Sequence, residues 1–149
     1  MPRRRLLATP LAAWERDGLK AALLKVRLPA DDVGDARLLF WRFESLNDVP
    51  VGFGGLEIHG RDALLRSVVI LPRLREIGMG RAIVETLETE AATRECRAIY
   101  LLTTSQAEFF ARLGYAPCGR RDVPEGIAAS RQFTMLCPAT ADVMMKRVG

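Results

Sequence analysis

The sequence predicts a single domain of the α/β class. Its 149 residues match the size of one ordinary domain, and they contain no internal repeat and no Gly/Ser-rich linker. Segments with the pattern of buried strands alternate with segments of helical periodicity, as in domains where helices pack on a sheet. The composition of 49% hydrophobic and 27% charged residues excludes disordered, collagen-like and low-complexity classes.

The first half of the chain predicts one helix and three strands. Apolar residues at near-helical spacing predict a helix over 11–27, which ends before Pro29. The run Val68–Leu71 is apolar throughout, which is typical of a strand buried on both faces. Three stretches predict strands that form a meander, at 36–44, 49–58 and 63–71, with turns at 45–48 and 59–62.

The second half predicts the remaining elements. The strongest helical periodicity covers 78–94, and a continuous apolar strand covers 98–103. Ser105 with Glu108 three residues later predicts a capping box that opens a short helix, and Gly114 predicts its C-terminal cap. Two final strands are expected at 115–119 and 132–137, with the loop 120–131 between them.

Charge and cysteine content exclude several classes of partner. The 22 basic and 18 acidic residues leave a net charge of +4, which suits a small anionic ligand and is too diffuse for nucleic acid. Three widely spaced cysteines and a single histidine argue against a zinc site and a disulfide framework. No apolar run approaches the roughly 20 residues of a membrane span. We therefore expect a cytoplasmic protein that binds no metal, nucleic acid or membrane, and whose first residues are a mature N-terminus.

The most informative segment is the turn that leads into the helix over 78–94. A short basic loop with Arg75 precedes Gly78 and Gly80, which flank the start of this helix. Backbone amides at such a helix start bind anions, and glycines let a phosphate approach the backbone. The segment lacks the Lys-Ser/Thr of a P-loop, and Ile83 stands where a dinucleotide fingerprint needs a small residue. The alternative is an ordinary strand-to-helix turn that binds nothing.

Together these residues resemble a known family. Arg75, Gly78 and Gly80 fit the acyl-CoA signature Arg/Gln-x-x-Gly-x-Gly/Ala of the GNAT family of N-acetyltransferases, and the stretch 109–115 fits its second motif. The resemblance covers about residues 40–137, and 1–39 match by pattern only. It implies the GNAT fold, which is a mixed, mostly antiparallel sheet with splayed central parallel strands flanked by helices.

The resemblance also implies acetyl-CoA as co-substrate and a set of residues that bind it. The backbone of Val68, Val69 and Ile70 would pair with the pantetheine, and the acetyl group would lie between this strand and the strand around 100–102. Arg75 would add a direct charge. Phe110 is also expected to contact the cofactor. The pyrophosphate would be held by five consecutive amides, those of Ile77, Gly78, Met79, Gly80 and Arg81.

Two catalytic side chains that are usual in the family are missing. Phe110 stands in place of the tyrosine general acid, and the strand before the phosphate turn carries no carboxylate at 65–67. We predict Glu57 as a general base that acts through water, against the alternative of a solvent-facing carboxylate. Ser67 is predicted to hydrogen-bond the acetyl carbonyl or the acceptor, against the alternative of a satisfied strand serine. Two further candidates are expected to be structural, namely the surface residue His59 and the core residue Tyr115.

Arginines indicate what the acceptor is. Arg66 lies in an otherwise apolar strand, where an unpaired charge is too costly. It therefore either pairs with a structural carboxylate or binds an anionic group of the substrate. Arg120, Arg121 and Arg131 surround the variable loop that often closes over the acceptor in this fold, and plain solvation is the alternative explanation for them. We predict an amino-acid-like acceptor with a carboxylate, bound by Glu57, Arg66 and Arg131.

The stretch 132–138 resembles a GNAT subfamily associated with arsenic-resistance gene clusters, which implies an amino-bearing arsenical as acceptor. Cys137 is expected to be a buried apolar residue rather than a metalloid ligand. The sequence thus predicts acetyl-CoA-dependent N-acetylation of a small amine by direct transfer, because no base pairs with Cys137 or Ser67. The alternatives are a non-catalytic acyl-CoA-binding sensor and a peptide N-terminal acetyltransferase. Dimerisation through the terminal strands is common in the fold, and Met144 with Met145 would contribute to a homodimer.

Overall fold

The chain forms one seven-stranded sheet with helices on both faces, as seen in a computed structural model. The structure describes residues 6–26, 28, 38–71, 78–136 and 140–149. In chain order the elements are β1 (Leu6–Pro10), a 3₁₀ turn (Ala13–Glu15), α1 (Arg16–Lys25), β2 (Leu39–Ser45), β3 (Pro50–His59), β4 (Asp62–Ile70), α2 (Met79–Thr93), β5 (Ala98–Thr103), α3 (Ala107–Arg112), β6 (Ala116–Pro117), a second 3₁₀ turn (Arg120–Asp122), α4 (Glu125–Ala128), a π-helical turn (Gln132–Leu136) and β7 (Asp142–Arg147).

The strand order in the sheet is β1-β2-β3-β4-β5-β7-β6. Neighbouring strands are antiparallel except β4 and β5, which run parallel. These two strands pair only over Asp62–Leu64 with Ala98–Tyr100. They then separate, because β4 continues beside β3 to Ile70 while β5 continues beside β7 to Thr103. The predicted mixed sheet with splayed central parallel strands is therefore confirmed.

The two faces of the sheet have different cores. Helices α2 and α3 cover one face, where the largest cluster packs around Phe43, Leu56 and Leu87. The opposite face carries two smaller clusters, one under α1 around Leu23 and one under α4 around Ile127. Each of these side chains is almost completely buried, which stabilises the fold by about 1.5–3 kcal/mol per side chain. Polar residues of β3 and β4 lie between the α1 and α4 clusters.

Strand β4 contains a bulge close to the point where it leaves β5. Phe53 and Gly55 of β3 pair with Val69 and Arg66, so β4 has one residue more than β3 in this interval. Ser67 takes up the extra length with a left-handed φ of 59°. This conformation costs a non-glycine residue about 1–3 kcal/mol, and such strain is concentrated at functional sites.

The prediction of a strand over 132–137 is wrong. Residues Gln132–Leu136 form the π-helical turn, in which the Ser130 carbonyl accepts hydrogen bonds from both the amide and the hydroxyl of Thr134, each 3.0 Å long. The last strand is β7 instead, and it lies between β5 and β6. Met144 of β7 is almost completely buried in the core, so it does not form the dimer contact that its terminal position suggests.

Three smaller predictions also need correction. Ser105 and Glu108 form no capping box, since α3 begins at Ala107 and the Gln106 amide binds the Thr103 hydroxyl oxygen at 2.9 Å. The strand over 115–119 shortens to β6, and the loop 120–131 contains a 3₁₀ turn and α4. Strand β1 has no counterpart in the prediction. The expected cap at Gly114 is confirmed, with a φ of 98° after α3.

Candidate active site

The separation of β4 and β5 opens the centre of the sheet. Val68, Val69 and Ile70, which are predicted to face the pantetheine, lie on β4 beyond its last pairing with β5. Val69 is buried towards α1, whereas Val68 and Ile70 are half-buried and pack against the core under α2. The three residues therefore lie on the strand that borders the gap.

Helix α2 begins beside the end of β4. Gly78 precedes the helix with a left-handed φ of 79°, a conformation that strains any residue with a side chain. A side chain at Gly80 would bring its Cβ to 2.8 Å from Ile70 Cδ1 and 3.1 Å from Phe109 Cζ. The side chains of Ile70 and Phe109 therefore pack directly on Gly80, and a larger residue there would displace them or the first turn of α2.

The first amides of α2 have no acceptor within the helix. Those of residues 79–81 precede the first hydrogen bond of the helix, which joins the Ala82 amide to the Gly78 carbonyl at 3.3 Å. The helix dipole adds a fractional positive charge at the same point. The Arg81 guanidinium donates to Glu85 Oε1 at 2.6 Å along the exposed face of the helix. Two of the predicted contacts lie outside the described residues, namely Arg75 and Ile77.

Four polar side chains meet on the face of the sheet opposite α2; we call Glu57, His59, Arg66 and Ser67 the polar cluster. Glu57 Oε2 is hydrogen-bonded to His59 Nε2, and Glu57 Oε1 lies 3.9 Å from Arg66 Nη1. The Nε of Arg66 donates to Ser67 Oγ at 3.2 Å. The side chain of Arg66 is 0% exposed, that of Glu57 12% and that of His59 30%. The structure therefore brings together the predicted residues Glu57, Arg66 and Ser67, and adds His59.

The strand geometry explains this cluster. Glu57 and His59 are two residues apart on β3, so they point to the same face of the sheet. Gly55 is the register partner of Arg66 and Leu64 that of Glu57, which makes Glu57 and Arg66 diagonal neighbours. Glu57 is thus not the solvent-facing carboxylate of the alternative interpretation. The i, i+2 spacing was the signal that would have placed His59 beside it.

Two guanidinium groups lie at the Phe40 ring beside the polar cluster. The Cζ of Arg66 is 5.8 Å from the ring centroid, and that of Arg16, from α1, is 5.1 Å away. Arg16 also donates to the Leu38 carbonyl at 2.8 Å. Contacts of this kind stabilise a cation by about 0.5–2 kcal/mol. No local sequence pattern marks Arg16 as a site residue, because the rotation of α1 over β2 depends on tertiary packing.

Two predicted site residues lie apart from the polar cluster. Arg131 is exposed after α4, and its side chain makes no hydrogen bond or ion pair with another described residue. Phe110 is buried under α2, where its ring packs edge-to-face against Phe109 and Tyr115. Its ring belongs to the core on the face of the sheet opposite the polar cluster.

The described cysteines do not converge. Cys96 lies in the cluster under α2, whereas Cys118 packs against the cluster under α4 on the other face of the sheet. Burial raises the pKa of both thiols. Cys137 lies outside the described residues. Within the described ranges, no group of three or more His, Cys, Asp or Glu side chains is placed to hold a metal ion. None of the described helices combines the length and the apolar character that crossing a membrane requires.

Solved structures share this fold at low sequence identity. An acetyltransferase of the GNAT family from Staphylococcus aureus Mu50 has a TM-score of 0.76 at 14% identity, covering 97% of this chain and 100% of that one. Rv2747 from Mycobacterium tuberculosis, in complex with CoA and NLQ, has a TM-score of 0.70 at 19% identity, covering 97% and 99%. These identities show the fold alone.

A third structure is longer than this chain. N-acetylglutamate synthase from Neisseria gonorrhoeae, complexed with coenzyme A and L-arginine, has a TM-score of 0.76 at 13% identity. The alignment covers 98% of this chain but 34% of that one, so the chain spans about a third of the synthase.

The family comparison is more specific than the fold. No curated protein matches the chain. The family model described as an acetyltransferase (GNAT) domain matches residues 36–117, which is more than half of the chain. The matched region contains β4, the start of α2, and α3, which are the elements that carry the glycine turn and the second motif. The chain therefore belongs to the GNAT family of acetyltransferases.

Proposed function

We propose that this acetyltransferase moves the acetyl group of acetyl-CoA directly to the amino group of a small, amino-acid-like acceptor. The polar cluster is the observation that carries the proposal. It sets a largely buried carboxylate and a guanidinium beside the bulge of β4, next to the gap. A carboxylate suits the removal of an ammonium proton, and a guanidinium suits the recognition of a carboxylate.

The start of α2 fits the diphosphate of CoA. The amides of residues 79–81 have no partner within the helix, and Gly80 keeps them close to β4 because it packs directly on Ile70. In this proposal the amides of 77–81 and the side chain of Arg75 hold the diphosphate, and the backbone of Val68–Ile70 pairs with the pantetheine. The bound thioester supplies the acetyl group.

Formation of the new amide needs three events. The acceptor ammonium loses a proton, which Glu57 accepts through a water molecule. A backbone amide at the bulge of β4 stabilises the tetrahedral oxyanion. The thiolate of CoA then leaves without a general acid, since Phe110 has no proton to give.

The polar cluster also favours direct transfer over an acetylated enzyme. The hydroxyl of Ser67 accepts a hydrogen bond from the guanidinium of Arg66, a group of donors that offers no acceptor for the hydroxyl proton. Ser67 is therefore not activated as a nucleophile. In this proposal its hydroxyl hydrogen-bonds the acetyl carbonyl or the acceptor.

Positive charge at the Phe40 ring supports an acceptor that carries a carboxylate. Arg16 and Arg66 approach this ring from two different elements. N-acetylglutamate synthase from Neisseria gonorrhoeae, 12% identical to this chain, has been solved with coenzyme A and N-acetyl-glutamate. On these grounds acidic amino acids belong in a panel of acceptors. An amino-bearing arsenical belongs there as well, on the resemblance of 132–138 alone.

Replacing Arg66 by methionine tests the acceptor class. We expect the KM for a carboxylate acceptor to rise by about 10–100-fold, the worth of one charge-assisted hydrogen bond. The KM for the same compound as its amide is expected to stay unchanged. Steady-state thiol release with acid and amide acceptors measures both values. Arg61→Met, on the exposed β3–β4 turn, is the matched control. An equal loss for acid and amide would contradict carboxylate recognition by Arg66.

Tyr115 is proposed to have no role in proton transfer. Its hydroxyl donates to Glu88 Oε2 at 2.9 Å, and Lys146 Nζ lies 3.1 Å from both oxygens of that carboxylate. Burial, reinforced by the charge of Glu88, raises the pKa of Tyr115 far above its usual value. The phenol therefore stays protonated and inside the core.

Replacing Tyr115 by phenylalanine should accordingly affect stability and not catalysis. We expect the free energy of unfolding to fall by about 1–2 kcal/mol, because Glu88 loses one hydrogen-bond donor. Urea denaturation measures this change, and thiol release under saturating substrates is expected to match the wild type. A loss of kcat of about tenfold or more in a folded Tyr115→Phe variant would instead assign the phenol to the chemistry.

We also propose a cytoplasmic location and a homodimer. The location is supported by the free thiols of Cys96 and Cys118. The homodimer is supported by β1, which lies at an edge of the sheet, where its unpaired backbone groups can pair with a second chain. The other terminal strand, β7, lies inside the sheet. Sedimentation of the wild type and of a Leu7→Lys variant, changed on β1, tests this contact.

A further inference from the structure

The polar cluster contains a histidine that proton removal by Glu57 does not explain. Nε2 of His59 is hydrogen-bonded to one oxygen of Glu57, and Arg66 lies 3.9 Å from the other oxygen. The carboxylate is 12% exposed, so a proton that it accepts has little direct access to solvent. The imidazole is 30% exposed and therefore connects the carboxylate to solvent. We propose that His59 relays the proton from Glu57 to solvent in each turnover, an inference that rests on the proposed function.

Helix α4 holds the imidazole in this position. A side chain at Gly126 would bring its Cβ to 3.1 Å from His59 Nδ1 and 3.2 Å from His59 Cβ. The ring therefore packs directly on Gly126, and a side chain at this position would displace the ring or α4 by a few tenths of an ångström. The imidazole is hydrogen-bonded to Glu57, Asp62 on β4 is the register partner of His59, and Glu125 precedes Gly126 in the chain.

The relay conserves protons and leaves both side chains unchanged. The acceptor ammonium gives one proton, through water, to the Glu57 carboxylate. The resulting carboxylic acid passes its Oε2 proton to Nε2 of the imidazole in its Nδ1–H form, and the imidazolium releases its Nδ1 proton to solvent. Exchange of ring protons with water then restores the Nδ1–H form. One proton has then moved from the acceptor to bulk water. Glu57 is again a carboxylate, so it can serve the next turnover.

Two variants separate a relay from a purely orienting hydrogen bond. The amide of His59→Gln still donates a hydrogen bond to Glu57 but carries no proton onward. His59→Ala opens a partly exposed space in which added imidazole can replace the lost ring. We expect His59→Gln to lower kcat by about tenfold or more. We expect imidazole and its methylated analogues to restore kcat of His59→Ala, with rates that increase with the base strength of the added azole.

The controls and outcomes keep the relay distinct from the proposed function. Added imidazole is expected to leave kcat of Glu57→Gln unchanged, because this variant lacks the carboxylate that passes the proton to the ring. Arg61→Gln, on the exposed turn of the same hairpin, should match the wild type in every buffer. A His59→Gln variant as fast as the wild type would overturn the relay. So would a slow His59→Ala variant that no azole restores, which would leave His59 an orienting role. Absence of thiol release from the wild type would overturn the proposed function first, and the relay with it.

Discussion

Replacing Glu57 by glutamine is expected to lower kcat for a small amine acceptor by about 10²–10⁴-fold, the range that a general base contributes. Glutamine keeps the size of the side chain and a hydrogen bond to His59, but its amide takes no proton. Acetyl-CoA affinity is expected to stay unchanged, because Glu57 lies on the face of the sheet opposite α2. Thiol release at saturating acetyl-CoA measures the first effect, and calorimetric titration measures the second.

The pH dependence of Glu57→Gln adds a second readout. Without the base, turnover depends on the fraction of acceptor that is already deprotonated, and this fraction rises about tenfold per pH unit below the pKa of the amine. The variant should therefore recover towards the wild type as pH increases. Glu108→Gln, at a side chain that is 94% exposed, is the control. A Glu57→Gln variant within about threefold of the wild type at neutral pH would remove Glu57 from the mechanism.

Replacing Gly80 by valine is expected to weaken acetyl-CoA binding by about 100-fold. The added Cβ would meet Ile70 Cδ1 at 2.8 Å and Phe109 Cζ at 3.1 Å, so these side chains or the first turn of α2 must shift. We expect the helical turn to shift, because valine adds two methyl groups beyond that Cβ. The amides of residues 79–81 then lose their alignment on the diphosphate. Loss of about 1 kcal/mol at each of three amides corresponds to this change in Kd, which calorimetry measures directly.

A matched control places the effect at the start of the helix. Ala92→Val also places a valine in α2, but in its last turn, at a half-buried position far from the first amides. It should bind acetyl-CoA as tightly as the wild type. Circular dichroism of both variants checks that their total helix content matches that of the wild type. Unchanged affinity in folded Gly80→Val would contradict the placement of the diphosphate at this turn.

The central elements were predictable because their patterns are local and strong. The helix predicted over 78–94 is α2, Met79–Thr93, whose amphipathic face and preceding glycine, Gly78, are both visible in the sequence. The strand over 98–103 has the observed bounds of β5, since a continuous apolar run identifies a strand buried on both faces. The glycine turn between β4 and α2 is also a local pattern, so the sequence alone indicates the resemblance to the GNAT family.

The outer elements depend on pairing that no local pattern shows. β1 is recognisable only through its register with β2, in which Leu6 lies opposite Ser45. β7 lies between β5 and β6, but the apolar residues of 132–136 have an equally strand-like pattern, so the sequence does not show which segment is the last strand. Local hydrogen bonds from Phe133 and Thr134 to Ser130 stabilise a helical turn over 132–136 instead of a strand.

The residues of the candidate site could be predicted from the sequence, but their contacts with one another could not. Glu57, Arg66 and Ser67 were identified from residue type and from their place on predicted strands. Their mutual contacts depend on the β3–β4 register and on the bulge at Ser67, which shifts the register by one residue. Arg16 was missed because α1 reaches the site across the sheet, and its distance from Phe40 is set by tertiary packing.

The most direct test of the central claim is to incubate the wild type with acetyl-CoA and a panel of amines, and to follow both thiol release and the mass of each amine. The panel holds amino acids, their amides, an amino-bearing arsenical and a short peptide. The proposal predicts one thiol released per acetylated amine, with a carboxylate-bearing amine as the preferred acceptor. Tight acetyl-CoA binding without thiol release for any amine would contradict it and indicate an acyl-CoA sensor, and acetylation of the peptide alone would indicate a peptide N-terminal acetyltransferase.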